Sequence, residues 1–424
     1  MSGTVEALKA ELLGWIERDR DEILTFLADF IRVPTPNPPG DTVAATDFVA
    51  GFLDRQGLPY RLVSPQPSMP NLVATVEGEA GPGRHLVLNG HLDVFPVGAG
   101  LGWTRDPWGG EIADGRVWGR GACDMKGGTT ASIFTFAYLA RLRHVLPGRL
   151  TLTVVSDEET LGAWGSRYLV EHHGAEVLGD CCLNAEPSSL ATLRFGEKGM
   201  LWLRFHVTTR GGHSAYPHTG ESATKIAARL IGALEELTAL RPDMPEAVAR
   251  TIAESRPAIE AGLGAGATET MQALTTNVGS IAGGLKINMI PDGCTFEYDI
   301  RLPVGLTRER VVDEIAAILR SFPQARVEEL NATAASVCDP EGEMVAILQG
   351  NAEALTGRRP SPIISLGGTD ARFWRYAGVP AYVYGPSPAS MGRPDEHIDI
   401  EEFFTVLRVH ATSALDYLAG SLAP

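Results

Sequence analysis

The pattern of apolar and polar positions predicts a sheet with helices packed on it for the first part of the chain. Apolar runs typical of buried strands recur there, at residues 71–77, 85–90, 150–155 and 181–184. Segments with apolar residues at helical spacing separate them, at residues 1–32, 42–56 and 129–143. This alternation predicts an α/β fold in which helices cover the faces of the sheet.

A different pattern begins near residue 195. Strands with one polar face and helices follow one another in the order β-α-β-β-α-β, at residues 201–208, 222–240, 273–281, 294–302, 307–322 and 325–330. This is the ferredoxin-like order, so we expect an inserted α+β domain over residues 195–332. The first pattern returns at residues 363–366 and 381–385, which predicts that residues 1–194 and 333–424 form one discontinuous catalytic domain.

The net charge limits the partners that the sequence allows, and the cysteine content indicates the compartment. The chain has 424 residues and a net charge of −16, and its basic residues form no run, which argues against nucleic acid or an anionic membrane as a partner. No apolar run reaches membrane-spanning length, and the charged N-terminal segment does not resemble a signal peptide. Five cysteines without C-x-x-C spacing favour reduced thiols, so we expect a cytoplasmic protein.

Histidine and carboxylate residues follow three of the predicted strands, at the points where the strands end. They are His91 with Asp93, Glu158 with Glu159, and Glu186. Asp124 adds a further carboxylate, in a glycine-rich turn at residues 119–128 that can bend sharply. Because ligands of α/β sheets gather outside the carboxyl ends of the strands, we expect these side chains to converge at one edge.

This set of side chains is suited to divalent cations. The candidate ligands are His91, Asp124, Glu159 and Glu186. They could hold one or two zinc-like ions, with Asp124 able to bridge a pair. Asp93 would accept a hydrogen bond from His91 and so fix its tautomer. Adjacent residues at a strand end point in opposite directions, so Glu158 is expected to act as general base while Glu159 reaches the metal.

Six short motifs together resemble the dizinc M20 metallopeptidase family, whose members include deacylases, desuccinylases and carboxypeptidases. The motifs are residues 90–93, 121–128, 157–159, 185–187, 212–217 and 367–372. The resemblance implies a mixed-sheet zinc-peptidase catalytic domain with an inserted ferredoxin-like lid and dimerisation domain. It also implies that His91, Asp124 and Glu186 hold one metal and that Asp124 and Glu159 contribute to a second. Zn²⁺ is the expected ion, and Mn²⁺ or Co²⁺ would suit the same ligands.

The resemblance further implies a set of residues that bind a substrate with a free carboxylate. His213 would stabilise the oxyanion, reaching in from the lid domain of a neighbouring subunit, which predicts a homodimer. Asn288 and Arg301 would bind the carboxylate, since the arginine fork matches its two oxygens. Gly367 and Gly368 would offer main-chain N–H groups to the same carboxylate.

One position, Gly392, departs from the family pattern, and another, Cys123, lies next to a ligand position. Relatives commonly have their last metal-binding histidine where this chain has Gly392, and His397 lies a few residues beyond. His397 could replace that ligand only if its loop turns back, so the sequence leaves one metal or two open. Cys123 precedes the bridging acid, where a thiol would alter metal preference or invite oxidation.

The expected reaction is metal-dependent hydrolysis of a C–N bond, most simply the amide of an N-acyl amino acid or a related carboxylate-bearing small molecule. A metal-bound hydroxide would attack, Glu158 would transfer the proton, and the metal and His213 would stabilise the tetrahedral intermediate. The residues leave three alternatives open. These are an exopeptidase or dipeptidase, a one-metal variant that hydrolyses an amine, and a non-catalytic relative that binds a small molecule.

Overall fold

The computed structural model describes residues 2–98 and 102–420, which form two compact units. The first comprises Met1–Phe195, Cys338–Ile363 and Thr369–Pro424, and the second Gly196–Val337 and Ile364–Gly368. The sequence pattern put the return to the first domain at residue 333, five residues earlier. The second unit extends further because Ser336 and Val337 pair with Glu197 and Gly196, which belong to the same unit.

The α-helices in the described residues are α1 (Ser2–Arg18), α2 (Arg20–Ile31), α3 (Val43–Gln56), α4 (Gly127–Arg141), α5 (Ser166–Val177), α6 (Ala223–Leu234), α7 (Glu246–Glu254), α8 (Arg256–Leu263), α9 (Ala267–Gln272), α10 (Arg308–Leu319), α11 (Glu343–Thr356), α12 (Ala371–Tyr376) and α13 (Ile400–Ala419). No helix in this part of the chain is both long enough and apolar enough to cross a membrane.

The strands are β1 (Tyr60–Val63), β2 (Asn71–Glu77), β3 (His85–His91), β4 (Glu111–Ala113), β5 (Arg116–Trp118), β6 (Arg149–Val155), β7 (Cys181–Asn184), β8 (Thr192–Glu197), β9 (Gly199–Thr208), β10 (Gly212–His213), β11 (Thr275–Gly283), β12 (Met289–Ile290), β13 (Gly293–Leu302), β14 (Ala325–Thr333), β15 (Ser336–Val337), β16 (Ser361–Ser365), β17 (Ala381–Val383) and β18 (His397–Asp399).

A mixed sheet lies at the centre of the first unit, with the strand order β1-β2-β6-β3-β7-β17-β8. Strands β6, β3, β7 and β17 run parallel to one another. The pairs β1–β2 and β2–β6 at one side and β17–β8 at the other are antiparallel. The parallel strands are buried along almost their whole length, as expected for strands covered on both faces. The predicted mixed α/β fold is therefore confirmed.

Helices α4 and α13 pack against each other and form much of the core of this unit. Both are buried along most of their length, which explains why their apolar residues are not confined to one stripe. A separate three-stranded sheet, in the order β18-β5-β4, lies beside the glycine-rich turn. This small sheet joins the C-terminal part of the chain to the segment that carries Asp124.

The second unit contains a four-stranded antiparallel sheet in the order β11-β13-β9-β14, with α6 and α10 packed against it. Its chain order is β9-α6-β11-β13-α10-β14, which is the predicted ferredoxin-like order. Between α6 and β11, residues 241–268 contain α7, α8 and the start of α9. A short antiparallel ribbon formed by β10 and β12 completes the unit.

Candidate metal centre and active site

The site in the first unit lies where three neighbouring parallel strands end. His91 is the last residue of β3, Glu186 follows β7 by two residues, and Glu158 begins a one-turn helix shortly after β6. Because β6, β3 and β7 pair in parallel, their carboxyl ends meet at one edge of the sheet. Ligand atoms of His91, Glu158 and Glu186 all lie within 4.8 Å of one another.

His91 is the centre of this cluster, and its two ring nitrogens have different partners. Nδ1 lies 2.8 Å from the main-chain oxygen of Asp93, an acceptor, so Nδ1 carries the proton of the neutral ring. Nε2 lies 3.3 Å from Oδ1 of Asp124 and 3.2 Å from Oε1 of Glu186. It has no hydrogen-bond partner among the residues that the structure describes.

This arrangement fits a divalent cation. In the neutral ring Nε2 presents a lone pair, and carboxylate oxygens of Asp124 and Glu186 lie within 3.3 Å of it. The cluster whose ligand atoms lie within 4.8 Å of one another contains Glu158 and not the predicted ligand Asp124. Burial lowers the pKa of His91, but Asp124 and Glu186 raise it well above its usual value, which means that the carboxylates draw a positive charge to Nε2. A bound Zn²⁺-like ion would supply that charge.

Asp93 touches the site differently from what the sequence predicted. Its carboxylate oxygen lies 3.6 Å from Nδ1 of His91, so the hydrogen bond that orients the ring goes to the main chain instead. The carboxylate accepts hydrogen bonds from the main-chain N–H groups of Glu158 and Glu159, at 3.2 and 3.0 Å, and from the side chain of Asn37 at 2.8 Å. Asp93 therefore fixes the turn that carries both glutamates.

Glu158 and Glu159 lie in this turn and not on a strand, so the alternation of side chains along a strand does not apply to them. Burial raises the pKa of Glu158 to about 8, while the positive charges of His91 and Arg372 act in the opposite direction. Nη1 of Arg372 lies 3.6 Å from Oε1 of Glu158. A carboxyl group with such a pKa can both accept and release a proton near neutral pH.

Glu159 is also buried, and its Oε1 has no hydrogen-bond partner among the described residues. Burial and the nearby Asp124 raise the pKa of Glu159 well above its usual value. A buried carboxylate oxygen without a donor is costly unless a cation or a proton compensates it. The surroundings of Glu159 thus suit a metal ligand, although it is not part of the cluster formed by His91, Glu158 and Glu186.

The residues predicted to bind the substrate belong to the second unit. His213 on β10 pairs with Met289 on β12, and the main-chain oxygen of Asn288 accepts a hydrogen bond from Ser214, so His213 and Asn288 lie together in the ribbon. Arg301 lies near the end of β13, where its Nε donates to Asp299. Gly367 and Gly368 are exposed, just after β16.

His397 lies on β18, where it pairs with Trp118 of β5 and its ring lies 4.4 Å from the Trp118 ring. Its Nδ1 contacts the main-chain oxygen of Asp395, and it is not part of the metal-binding cluster found in the described residues. The Cys123 thiol donates to the main-chain oxygen of Ser387 at 3.2 Å. Burial raises the pKa of Cys123 well above its usual value, so this thiol stays protonated.

Four side chains near the site had no assigned role in the sequence interpretation. They are Asn37, Asp370, Arg372 and Glu396. Asp370 and Arg372 close the motif at residues 367–372, and Glu396 follows the departure at Gly392, so two motifs already pointed to them. Asn37 lies in a proline-rich loop, and only the folded structure brings it to Asp93.

The sequence model of peptidase family M20/M25/M40 matches residues 87–416. The succinyl-diaminopimelate desuccinylase of Cereibacter sphaeroides is 32% identical over 403 residues, covering 92% of this chain and 98% of the relative. The enzyme of the same name from Rhodospirillum centenum is 30% identical over 404 residues, with coverages of 93% and 96%. Most of each relative therefore has a counterpart in this chain.

Solved structures agree on the fold. An M20 family metallo-carboxypeptidase from Sulfolobus solfataricus superposes with a TM-score of 0.81 at 18% identity, covering 93% of this chain and 99% of that one. Human carnosine dipeptidase 1 gives a TM-score of 0.74 at 16% identity, with coverages of 97% and 99%. The predicted family is confirmed. The chain therefore belongs to peptidase family M20/M25/M40, and it is a metal-dependent hydrolase of C–N bonds.

Proposed function

We propose that the chain hydrolyses the amide bond of an N-acyl amino acid, with an N-succinyl amino acid such as succinyl-diaminopimelate as the first candidate substrate. The convergence of His91, Glu158 and Glu186 at the ends of three parallel strands, with Oδ1 of Asp124 3.3 Å from Nε2 of His91, carries the proposal. The desuccinylase relatives, which match this chain over almost their full length, support the choice of acyl group.

In this proposal His91, Asp124 and Glu186 hold a divalent ion, and Glu159 is the candidate additional ligand. Bound there, the ion would acidify a water molecule and polarise the amide carbonyl. Main-chain contacts fix the protein ligands in advance, since the Asp93 carbonyl holds the His91 ring and the side chain of Asn184 accepts the main-chain N–H of Glu186 at 2.7 Å.

Glu158 moves the proton. Burial raises the pKa of Glu158, which makes its carboxylate a stronger base, able to take a proton from the attacking water and pass it to the leaving nitrogen. The Asp93 carboxylate holds the main chain of Glu158, and Arg372 lies beside its side chain. These contacts restrict Glu158 to one position, as a general base requires.

The experiment that tests this function compares purified wild-type protein with Glu158→Ala on a panel of substrates. The panel contains succinyl-diaminopimelate, other N-acyl amino acids, dipeptides and amine-bearing carboxylates. We expect wild-type protein to release acid and amine in equal amounts and Glu158→Ala to lose at least 10³-fold in kcat while it keeps its metal. Glu171→Ala, which alters an exposed acid on α5, is the matched control and should keep full activity.

Each contrary result on the panel has a definite meaning. Cleavage of dipeptides alone would replace the deacylase with an exopeptidase, and ammonia release without an acid product would indicate an aminohydrolase. Metal binding with no cleavage of any substrate would leave a non-catalytic relative. Full activity in Glu158→Ala would refute the role of the base.

We further propose that two copies pair through their second units and exchange residues at the site. Gly293 and Arg301 are eight residues apart on β13, roughly 26 Å at the usual rise of a strand, and His213 and Asn288 lie beyond the Gly293 end. This separation favours supply of His213 and Asn288 by one copy and of Arg301 by the other. The loop of the ribbon also exposes Leu285 by 87% and Ile287 by 98%, which favours a protein partner.

A complementation assay tests this exchange. Glu158→Ala and His213→Ala proteins are each expected to be inactive as homodimers. After subunit exchange, a mixed dimer would contain one intact site, so an equal mixture should recover about a quarter of wild-type activity. Failure to recover activity despite demonstrated subunit exchange would contradict the contribution of His213 from the partner.

We also propose a cytoplasmic location. All five cysteines lie in the part of the chain that the structure describes, and all are free thiols. Thiols persist in reducing compartments, which favours the cytoplasm. Reporter fusions that place the chain outside the cytoplasm would contradict this location.

A further inference from the structure

Glu396 is a buried acid that belongs to no part of the chemistry described above. It immediately precedes β18, and the pairing of β18 with β5 brings it beside the glycine-rich turn that leads to Asp124. Its side chain is 1% exposed. Oε2 accepts a hydrogen bond from the guanidinium of Arg120, which is also buried, so neither charge is isolated.

The other oxygen of Glu396 contacts the main chain of the turn. Oε1 accepts three hydrogen bonds, from the N–H groups of Gly121 at 3.0 Å, Cys123 at 3.0 Å and Asp124 at 3.1 Å. The main-chain oxygen of Glu396 also accepts from Gly119 at 2.8 Å. One residue thus binds four main-chain donors within six consecutive positions, the last of them in Asp124 itself.

A turn of this composition needs such an anchor. Gly119 and Gly121 have φ values of +144° and +87°, and glycines leave the chain many other conformations. The direction of this segment decides whether Oδ1 of Asp124 lies near Nε2 of His91. An acceptor that binds several successive N–H groups removes most of this freedom.

We propose that Glu396 is a positioning residue for the metal centre: its buried carboxylate fixes the main chain of residues 121–124 so that Asp124 faces His91. The proposal rests on the proposed function, because it assumes that Asp124 and His91 bind the metal. It predicts that the loss of Glu396 weakens metal binding although Glu396 contributes no ligand atom.

The neighbouring residue Asp395 provides a matched control. It is also a carboxylate that binds main-chain N–H groups, but these belong to Thr104 and Arg105, at 2.8 and 3.2 Å, away from the Asp124 turn. Asp395→Ala therefore removes an acid anchor from the same loop without releasing the metal-binding segment. If the loop merely loosened, zinc binding would weaken in both the Glu396 and the Asp395 variants. The proposed role of Glu396 predicts weaker zinc binding in the Glu396 variants alone.

The experiment measures the zinc dissociation constant of full-length wild-type, Glu396→Ala, Glu396→Gln and Asp395→Ala proteins by competition with a chromophoric chelator. Circular dichroism verifies folding, and the visible absorption of the Co²⁺-loaded proteins reports the ligand geometry. We expect binding at least tenfold weaker in Glu396→Ala and an altered Co²⁺ spectrum. Glu396→Gln keeps an oxygen acceptor and should lie between Glu396→Ala and wild type. Asp395→Ala should stay within about twofold of wild type.

A folded Glu396→Ala protein with wild-type zinc affinity and Co²⁺ spectrum would overturn the proposal. If Glu396→Ala does not fold because Arg120 is left without its partner, Glu396→Asp decides. Its carboxylate keeps the charge opposite Arg120 but is one methylene too short for all three N–H groups, so at least fivefold weaker binding supports the proposal and unchanged binding overturns it. Wild-type protein that binds no zinc would instead refute the metal centre itself, and the proposed function with it.

Discussion

Replacement of Asp93 tests whether its carboxylate orients His91, as the sequence predicted, or supports the turn that carries Glu158 and Glu159, as the structure indicates. In Asp93→Ala the main-chain oxygen that holds Nδ1 of His91 remains, because the substitution does not change the main chain. The carboxylate that binds Asn37 and the main-chain N–H groups of Glu158 and Glu159 is lost. We therefore expect the metal ligand to stay oriented while the turn that carries the base loosens.

The magnitudes follow from these contacts. A buried donor without a partner costs about 1–3 kcal/mol, so the two main-chain donors should lower the free energy of unfolding by roughly 2–6 kcal/mol. The Asn37 amide adds little, because it keeps Oγ1 of Thr160 as an acceptor at 3.1 Å. Poorer placement of Glu158 should lower kcat by about 10²–10³-fold. Affinity for an ion held by His91, Asp124 and Glu186 should stay within about threefold, because loss of the hydrogen bond to a metal-binding histidine is what would cost roughly 10–100-fold. An ion that Glu159 also binds should bind more weakly, since Glu159 lies in the loosened turn.

The assay measures kcat per bound metal, the zinc dissociation constant and urea unfolding for wild type, Asp93→Ala and Asp93→Asn. The asparagine keeps one oxygen that accepts from the turn, so its kcat should fall less than that of the alanine variant. A protein that loses tenfold or more in zinc affinity while kcat per bound metal stays at the wild-type value would refute this reasoning. That result would mean that the carboxylate orients His91 after all.

Three further results are expected. Burial lowers the pKa of His410 on α13 to about 4, against about 6.5 in an unfolded chain, so the unfolded state binds the proton first as the pH falls. Wild-type protein should then lose about 2 kcal/mol more unfolding free energy than His410→Asn between pH 7 and pH 5, and equal losses in both would contradict this assignment. Zinc at about 1,000 times its dissociation constant should stabilise the wild-type protein by about 4 kcal/mol in urea unfolding. The stability of His91→Ala should stay almost unchanged under the same conditions. Equal stabilisation of both proteins would mean that the ion binds elsewhere. His397→Ala should keep the wild-type metal content, because His397 packs on Trp118, and loss of a metal ion would show that it is a ligand.

The buried strands at the centre of the first sheet were predictable from the sequence because they depend on short apolar runs. Other strands, such as β1, β4, β5, β8 and β18, were not predicted. The run at residues 71–77 coincides with β2, and the histidine and carboxylates after β3, β6 and β7 meet as expected. Two helices were not predicted, α11 and α13. Helix α13 is buried along most of its length and shows no clear polar face. Helix α11 buries one face only, so burial does not explain why it was missed.

The details of the site depended on contacts between distant parts of the chain. The residue pattern suggested that Asp93 and His91 share a strand face, but β3 ends at His91 and Asp93 lies beyond it. Its carboxylate is then closer to Asn37 and the 158–159 turn than to the imidazole. Glu396 binds the Asp124 turn across more than 270 positions of sequence, and no local pattern reports such a contact.

The measurement that tests the central claim most directly is an anomalous X-ray map of crystals grown with Zn²⁺, with data collected on both sides of the zinc edge. We predict a strong peak within bonding distance, about 2.0–2.2 Å, of Nε2 of His91 and of carboxylate oxygens of Asp124 and Glu186. A second peak between Asp124 and Glu159 would establish two ions per chain. No anomalous peak at His91, in a protein that hydrolyses its substrate, would contradict the account.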